Sequence, residues 1–191
     1  MLALSGATEA RRGVRVALGV GLAVIALHGV DRRAGQLLHP PALAALPGEV
    51  ADGVRAQPRD ARALAQVIDV VRDRTPAGEP VLVAPPRFDR VRVGHPLLSV
   101  LLARPNPTRY DVMAPGVVTT AAVQREMARD LRATPTPVVV RWLAPVALAR
   151  EPNRSGRSSG VSILDAEIAA RYRLLARFGD YAVLVLTPRR R

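Results

Sequence analysis

The chain has 191 residues, 49% of them apolar, which fits about one folded domain and argues against wholesale disorder. It contains no cysteine, so disulfide scaffolds, thiolate metal sites and thiol nucleophiles are excluded. All 28 basic residues are arginine, against 16 acidic residues, for a net charge of +12. Apart from Arg189-Arg190-Arg191 the arginines are scattered, and the chain is rich in Ala, Val and Pro. That pattern fits GC-biased coding better than a built basic surface, so nucleic acid is not an expected partner. His28, His39 and His95 lie far apart and form no ligand pair, and no metal or cofactor is expected.

Residues 1–13 are polar, end in Arg11-Arg12-Gly13 and read as a cytoplasmic N-terminal tail. Val14–Val30 follows as VRVALGVGLAVIALHGV, uncharged from Val16 onward. Fifteen helical residues cover about 23 Å, short of a ~30 Å hydrocarbon core, and snorkelling by Arg15 extends the reach a little. Three readings compete: a transmembrane anchor, a signal-peptide core and a buried helix. The arginine flanks favour an anchor over 14–30, and HGVDRRAG offers no small-x-small cleavage site. Three arginines before the segment and two after it predict a single-pass protein of the cytoplasmic membrane with its C-terminal domain outside. The lipid bilayer is the first partner this implies. Residues 31–57, with His39-Pro40-Pro41 and Pro47-Gly48, read as a Pro-rich connector.

From Pro58 to about residue 187 the pattern is that of an extracytoplasmic α/β domain, with 188–191 as a basic tail. Pro58 opens a helix whose Leu64, Ile68 and Val71 share a face to residue 74. Pro80–Ala84 is a short buried strand, and Pro96 opens another short helix. Tyr110–Met113 reads as a weaker strand, and a helix over about 120–133 carries Val123, Met127 and Leu131. Val138–Trp142 is a strand. Ser162 with Asp165 resembles a capping box, opening a helix through Leu164, Ile168, Tyr172 and Leu175 that Gly179 ends. Tyr181–Leu186 is the last strand. Helices alternating with about four apolar strands predict an α/β layered domain with a mostly parallel sheet behind one transmembrane helix.

Motifs for familiar chemistry are missing. Pro85-Pro86-Arg87 stands where a dinucleotide fold needs glycines. Asp89 and His95 lie on a loop near the C-terminal edge of the sheet, without an identifiable triad partner. The loop Glu151–Gly160, EPNRSGRSSG, places arginines, serines and glycines before a helix N-terminus. Such a loop can hold a phosphate or sugar, or can simply cap the helix in solvent. Glu151 and Asp165 are candidates for a glycosidase-like carboxylate pair, though fourteen residues do not fix their separation. Arg109-Tyr110 offers a cation and a ring, or borders a strand.

Taken together, RPNPTRYDVMAPGVVTT, VQREMARDL, VVVRW, EPNRSGRSSGVSILDAEIAARY and FGDYAVL resemble the C-terminal soluble domain of bacterial dolichyl-phosphate-mannose–protein mannosyltransferase-like membrane glycosyltransferases. The resemblance covers about Pro58 to Leu186 and lies in the order of the blocks. In that family the catalytic acids lie in an early extracytoplasmic loop, and the lipid-linked donor binds within the membrane bundle. The resemblance therefore implies an accessory or remnant module without the catalytic membrane part, and no catalytic residue carries over. Arg109, Tyr110, Glu151, Asn153, Ser158, Ser159 and Asp165 match the module's pattern, as contacts to acceptor or glycan or as loop structure. Expected partners are a polytopic glycosyltransferase subunit, a polyprenyl-phosphate sugar or cell-envelope glycan. The alternatives are a peripheral glycan- or anionic-lipid-binding domain and a small extracytoplasmic hydrolase using Glu151 and Asp165.

Overall fold

A computed structural model describes residues 3–38, 40, 42–46, 48–91, 94–111, 116–150, 152 and 154–188. The chain divides into two compact units, Met1–Ala42 and Leu43–Arg191. The first is one helix, α1, Ala3–Leu38. Its 36 residues exceed the expected 14–30 segment at both ends. No described helix is long and apolar enough to cross a membrane. This overturns the expected transmembrane anchor and the single-pass placement in the cytoplasmic membrane. The physical reason is charge spacing: Arg15 and Asp31-Arg32-Arg33 close in on an uncharged stretch that covers only about 23 Å of helix.

The second unit begins with a two-stranded antiparallel ribbon, β1 (Ala44–Ala45) with β2 (Arg55–Ala56). Between the strands Leu46 and Ala51 are buried against the core of the unit. Helix α2 (Pro58–Arg74) starts with proline in its first turn and buries Leu64, Val67, Ile68 and Val71. It is followed by β3 (Val81–Ala84), α3 (Pro96–Leu102), α4 (Ala121–Ala133), β4 (Val138–Trp142), the single turn α5 (Pro145–Leu148), α6 (Ile163–Arg171), β5 (Tyr172–Phe178) and β6 (Tyr181–Leu186).

The main sheet has the order β3-β4-β6-β5. Only β3 and β4 are parallel; β4–β6 and β6–β5 are antiparallel. The expectation of a mostly parallel sheet is thus corrected to a mixed one. The cause lies in 172–178, which continues helically in the sequence reading because Leu164, Ile168, Tyr172 and Leu175 fit a 3.6-residue period. The helix stops at Arg171, and Tyr172 adopts extended angles, φ −118° and ψ 141°. Gly179 does not end a helix. With φ +52° it turns a two-residue hairpin between β5 and β6, a conformation suited to glycine. A hairpin makes its strands antiparallel neighbours. The expected strand at 110–113 lies partly outside the described residues, and Tyr110 and Asp111 are not strand residues.

Side chains alternate across the strands and bury two cores. Val81, Val138, Val140, Tyr181, Val183 and Val185 pack with α2 and α3 on one face. Leu82, Ala84, Val139 and Tyr172 pack with Met127 and Leu131 of α4 and Leu164 and Ile168 of α6 on the other. The result is a three-layer α/β/α unit. At one margin of the sheet, β5 exposes Arg173 and Arg177 and carries a bulge between Leu174 and Ala176. At the other, the Val81 N–H of β3 donates to Pro105 O at 3.0 Å.

Candidate functional site

Parallel strands β3 and β4 end together, and their C-terminal edge is where α/β sheets commonly present ligand sites. The loop after β3 and the loop before α6 meet there. Asp89 is buried and forms an ion pair with Arg87 two residues earlier. Its carboxylate also accepts a hydrogen bond from Ser158 Oγ, and its carbonyl accepts one from Ser159 N at 2.7 Å. Burial alone would raise the Asp89 carboxyl, but the hydrogen bonds from Arg87 and Ser158 outweigh it and hold the group below the ordinary carboxylate value. Ser158 Oγ also accepts from Gly160 N at 3.1 Å, which tightens the loop.

Arg141, on the face of β4 toward α6, donates to Asp165 at 2.9 Å and to the Pro86 carbonyl. The other oxygen of Asp165 accepts from Phe88 N at 2.8 Å. Asp165 therefore ties β4 and the β3 loop to the first turn of α6. Ser162 occupies the N-cap position but makes no side-chain cap hydrogen bond. Gln124 of α4 substitutes for it: its Oε1 accepts from Leu164 N at 3.2 Å. Gln124 Nε2 donates to Phe88 O, Val118 O and Val161 O at 3.0, 3.2 and 3.1 Å. The side chain is fully buried. Gln124 and Arg141 are residues that sequence reasoning missed. For Gln124 the available signal was a lone amide on the same helix face as Met127 and Leu131.

Arg109 and Tyr110 lie elsewhere. Asn106 Oδ1 accepts from Thr108 N at 3.0 Å, and Asn106 Nδ2 donates to Tyr110 O at 3.1 Å, which fixes the PNPTRY turn. Arg109 then pairs with Glu126 of α4 at 2.7 Å and lies over the Tyr110 ring, 5.1 Å from its centroid. Tyr110 Oη donates to the same carboxylate at 3.0 Å. The Glu126 carboxyl is held below its ordinary value, mainly by the Arg109 hydrogen bond. None of the described hydrogen bonds or ion pairs joins this exposed cluster to the Ser158, Ser159 and Asp165 group. Glu151 and Asn153 lie outside the described residues, and so does the Glu151–Asp165 carboxylate pair.

A third cluster stands on the opposite face at the same end of the sheet. His95 Nδ1 accepts from Leu98 N at 2.9 Å and so caps α3. That bond places the ring proton on Nε2, 2.9 Å from Tyr181 Oη. Trp142 meets the imidazole edge-on, with centroids 4.7 Å apart. Burial pushes His95 below its ordinary value and lifts the Tyr181 phenol to about 12. Among the described residues, no group of three or more His, Asp or Glu side chains is disposed to hold a metal ion. No known family, curated protein or solved structure matches the chain.

Proposed function

We propose that the α/β unit is a non-catalytic accessory module of lipid-linked-sugar glycosyl transfer, presenting the rim formed by residues 85–90 and 158–165 to glycan or acceptor. The observation supporting this reading is the interlocking of blocks that are far apart in sequence. Gln124 from VQREMARDL, Arg141 from VVVRW and Asp165 from EPNRSGRSSGVSILDAEIAARY converge on Pro86 and Phe88. Of the residues that carry the family resemblance, Ser158, Ser159 and Asp165 belong to this cross-braced rim, and Arg109 and Tyr110 do not. Asp89 and Asp165 each hold a cation and backbone or hydroxyl donors in place, which is a positioning role.

The test is incubation of the purified chain with a water-soluble, short-chain polyprenyl-phosphate mannose and a glycan acceptor. The expected result is no sugar transfer, with backbone amide shifts confined to residues 87–90 and 158–165. Turnover that disappears in Asp165→Asn would overturn the proposal, and so would the absence of any shift at the rim. A second reading, peripheral attachment to anionic lipid, draws on α1, where Leu18, Leu22 and Ile25 are 62%, 67% and 70% exposed. Flotation with anionic vesicles that fails after a high-salt wash would favour it.

A further inference from the structure

We propose that the cavity between β3 and α3 binds a single-chain amphiphile: one apolar chain ended by an anionic phosphate or carboxylate. This inference stands on the cavity alone and is independent of the glycosyl-transfer reading. The cavity measures about 310 Å³, at the lower end of the range for small-molecule sites. At about 30 Å³ for each water-sized group, it has room for roughly ten heavy atoms.

Its walls are chosen by the fold. Val81 and Val83 project from one face of the edge strand β3, and Val100 and Leu102 come from α3. Among the described residues no further strand lies beyond β3, so this space sits at the margin of the sheet. The segment after α3 is held along that margin by the Val81–Pro105 hydrogen bond and by the Asn106 turn. These braces keep the cavity from closing by collapse of the loop.

Arg104 supplies the head-group chemistry. It is the one cation of the lining among the described residues. Its guanidinium donates to Thr75 O and Ala103 O, each at 3.2 Å, and belongs to none of the described ion pairs. Two carbonyls thus orient a charge that no described ion pair neutralises. A guanidinium has five N–H donors, so further donors remain for an anion, and planar donors match phosphate and carboxylate oxygens. Asp111 is the opposing charge in the lining and is exposed. It disfavours an anion there and so serves as an internal control.

The experiment uses the full chain with labelled valine and leucine methyls, titrated with decanoate, decyl phosphate and decanol below their aggregation limits. Both anions should shift the Val81, Val83, Val100 and Leu102 methyls and compete with each other. The tighter of the two identifies the head group as phosphate or carboxylate. Decanol should bind about tenfold more weakly, as loss of one charge-assisted hydrogen bond implies. Arg104→Gln should weaken both anions about tenfold and leave decanol unchanged, on the same reasoning. Asp111→Asn should tighten the anions. Val100 is 58% exposed, so Val100→Trp can fill the cavity from the surface and should remove all three shifts without unfolding the chain. Equal affinity of decanol and the anions overturns the proposal. So do shifts restricted to α1 methyls, or anion binding that persists in Val100→Trp.

Discussion

Replacing Gln124 by methionine tests the interlock most directly. The side chain is fully buried and meets four backbone groups, three carbonyls and one N–H. Methionine keeps the length and apolar body but removes every hydrogen bond. The Leu164 N–H at the start of α6 then loses its cap, and Phe88 O, Val118 O and Val161 O lose their shared donor. A buried polar group left without a partner costs about 1–3 kcal/mol, and the carbonyls share only two protons. Counting the orphaned N–H and two lost donations gives a loss of about 3–5 kcal/mol. For a unit of this size each kcal/mol lowers Tm by about 2–4 °C, so a drop on the order of 12 °C is expected. The single Trp142, packed against the α2 side of the sheet, reports the transition by fluorescence independently of α1. Urea titration should give a lower midpoint with the same slope. A loss below about 1 kcal/mol would refute the reasoning, because it would mean that water satisfies these groups as well as the amide does.

Three further outcomes follow from the same geometry. Gly179→Ala places a methyl at φ +52° and 3.0 Å from Ala63 Cβ; thermal unfolding should show a loss of about 1–3 kcal/mol from strain and crowding. Asp165→Asn removes the charge that holds Arg141 and weakens the bond to Phe88 N; denaturant titration should show a loss of about 1–3 kcal/mol. His95 has its proton affinity lowered in the folded state by burial. Its contribution is therefore fully present above its ordinary value of 6.5 and is lost as the pH falls toward the folded-state value. Protonation puts a hydrogen on Nδ1, where the Leu98 N–H must be accepted. Stability measured from pH 7.5 to 5 should fall in the wild type and fall less in His95→Gln.

Two helices with proline in their first turn were legible because fixed φ and a missing N–H mark the start of a helix, while the single turn α5 that Pro145 opens was too short to show a period. Pro58 and Pro96 opened α2 and α3 where expected. Apolar runs between turn residues gave β3, β4 and β6. The stretch 172–178 was misread because Tyr172 and Leu175 satisfy the helical period, while no glycine or proline separates α6 from β5. Only pairing with β6 selects the extended form, and that information is non-local. The rim was partly legible. Ser158, Ser159 and Asp165 stand out in the sequence, yet their partners Asp89 and Arg141 are distant in the chain, Arg141 lying 24 residues from Asp165 and Asp89 lying 69 residues from Ser158. The anchor reading failed because flanking arginines suggest a membrane border without lengthening the apolar stretch between them.

The two margins of the main sheet resist self-association by different means. Along β5 the exposed Arg173 and Arg177, which the bulge places on opposite faces, and the irregular pleat give an incoming strand a charged, mismatched template. Along β3 the backbone is brief and already engaged by Pro105. Concentrated solutions should therefore stay free of cross-strand polymers, and the weak point is the arginine side. Exchange of both residues for valine would leave a seven-residue apolar ribbon open to stacking, so protection of this margin rests on two exposed side chains.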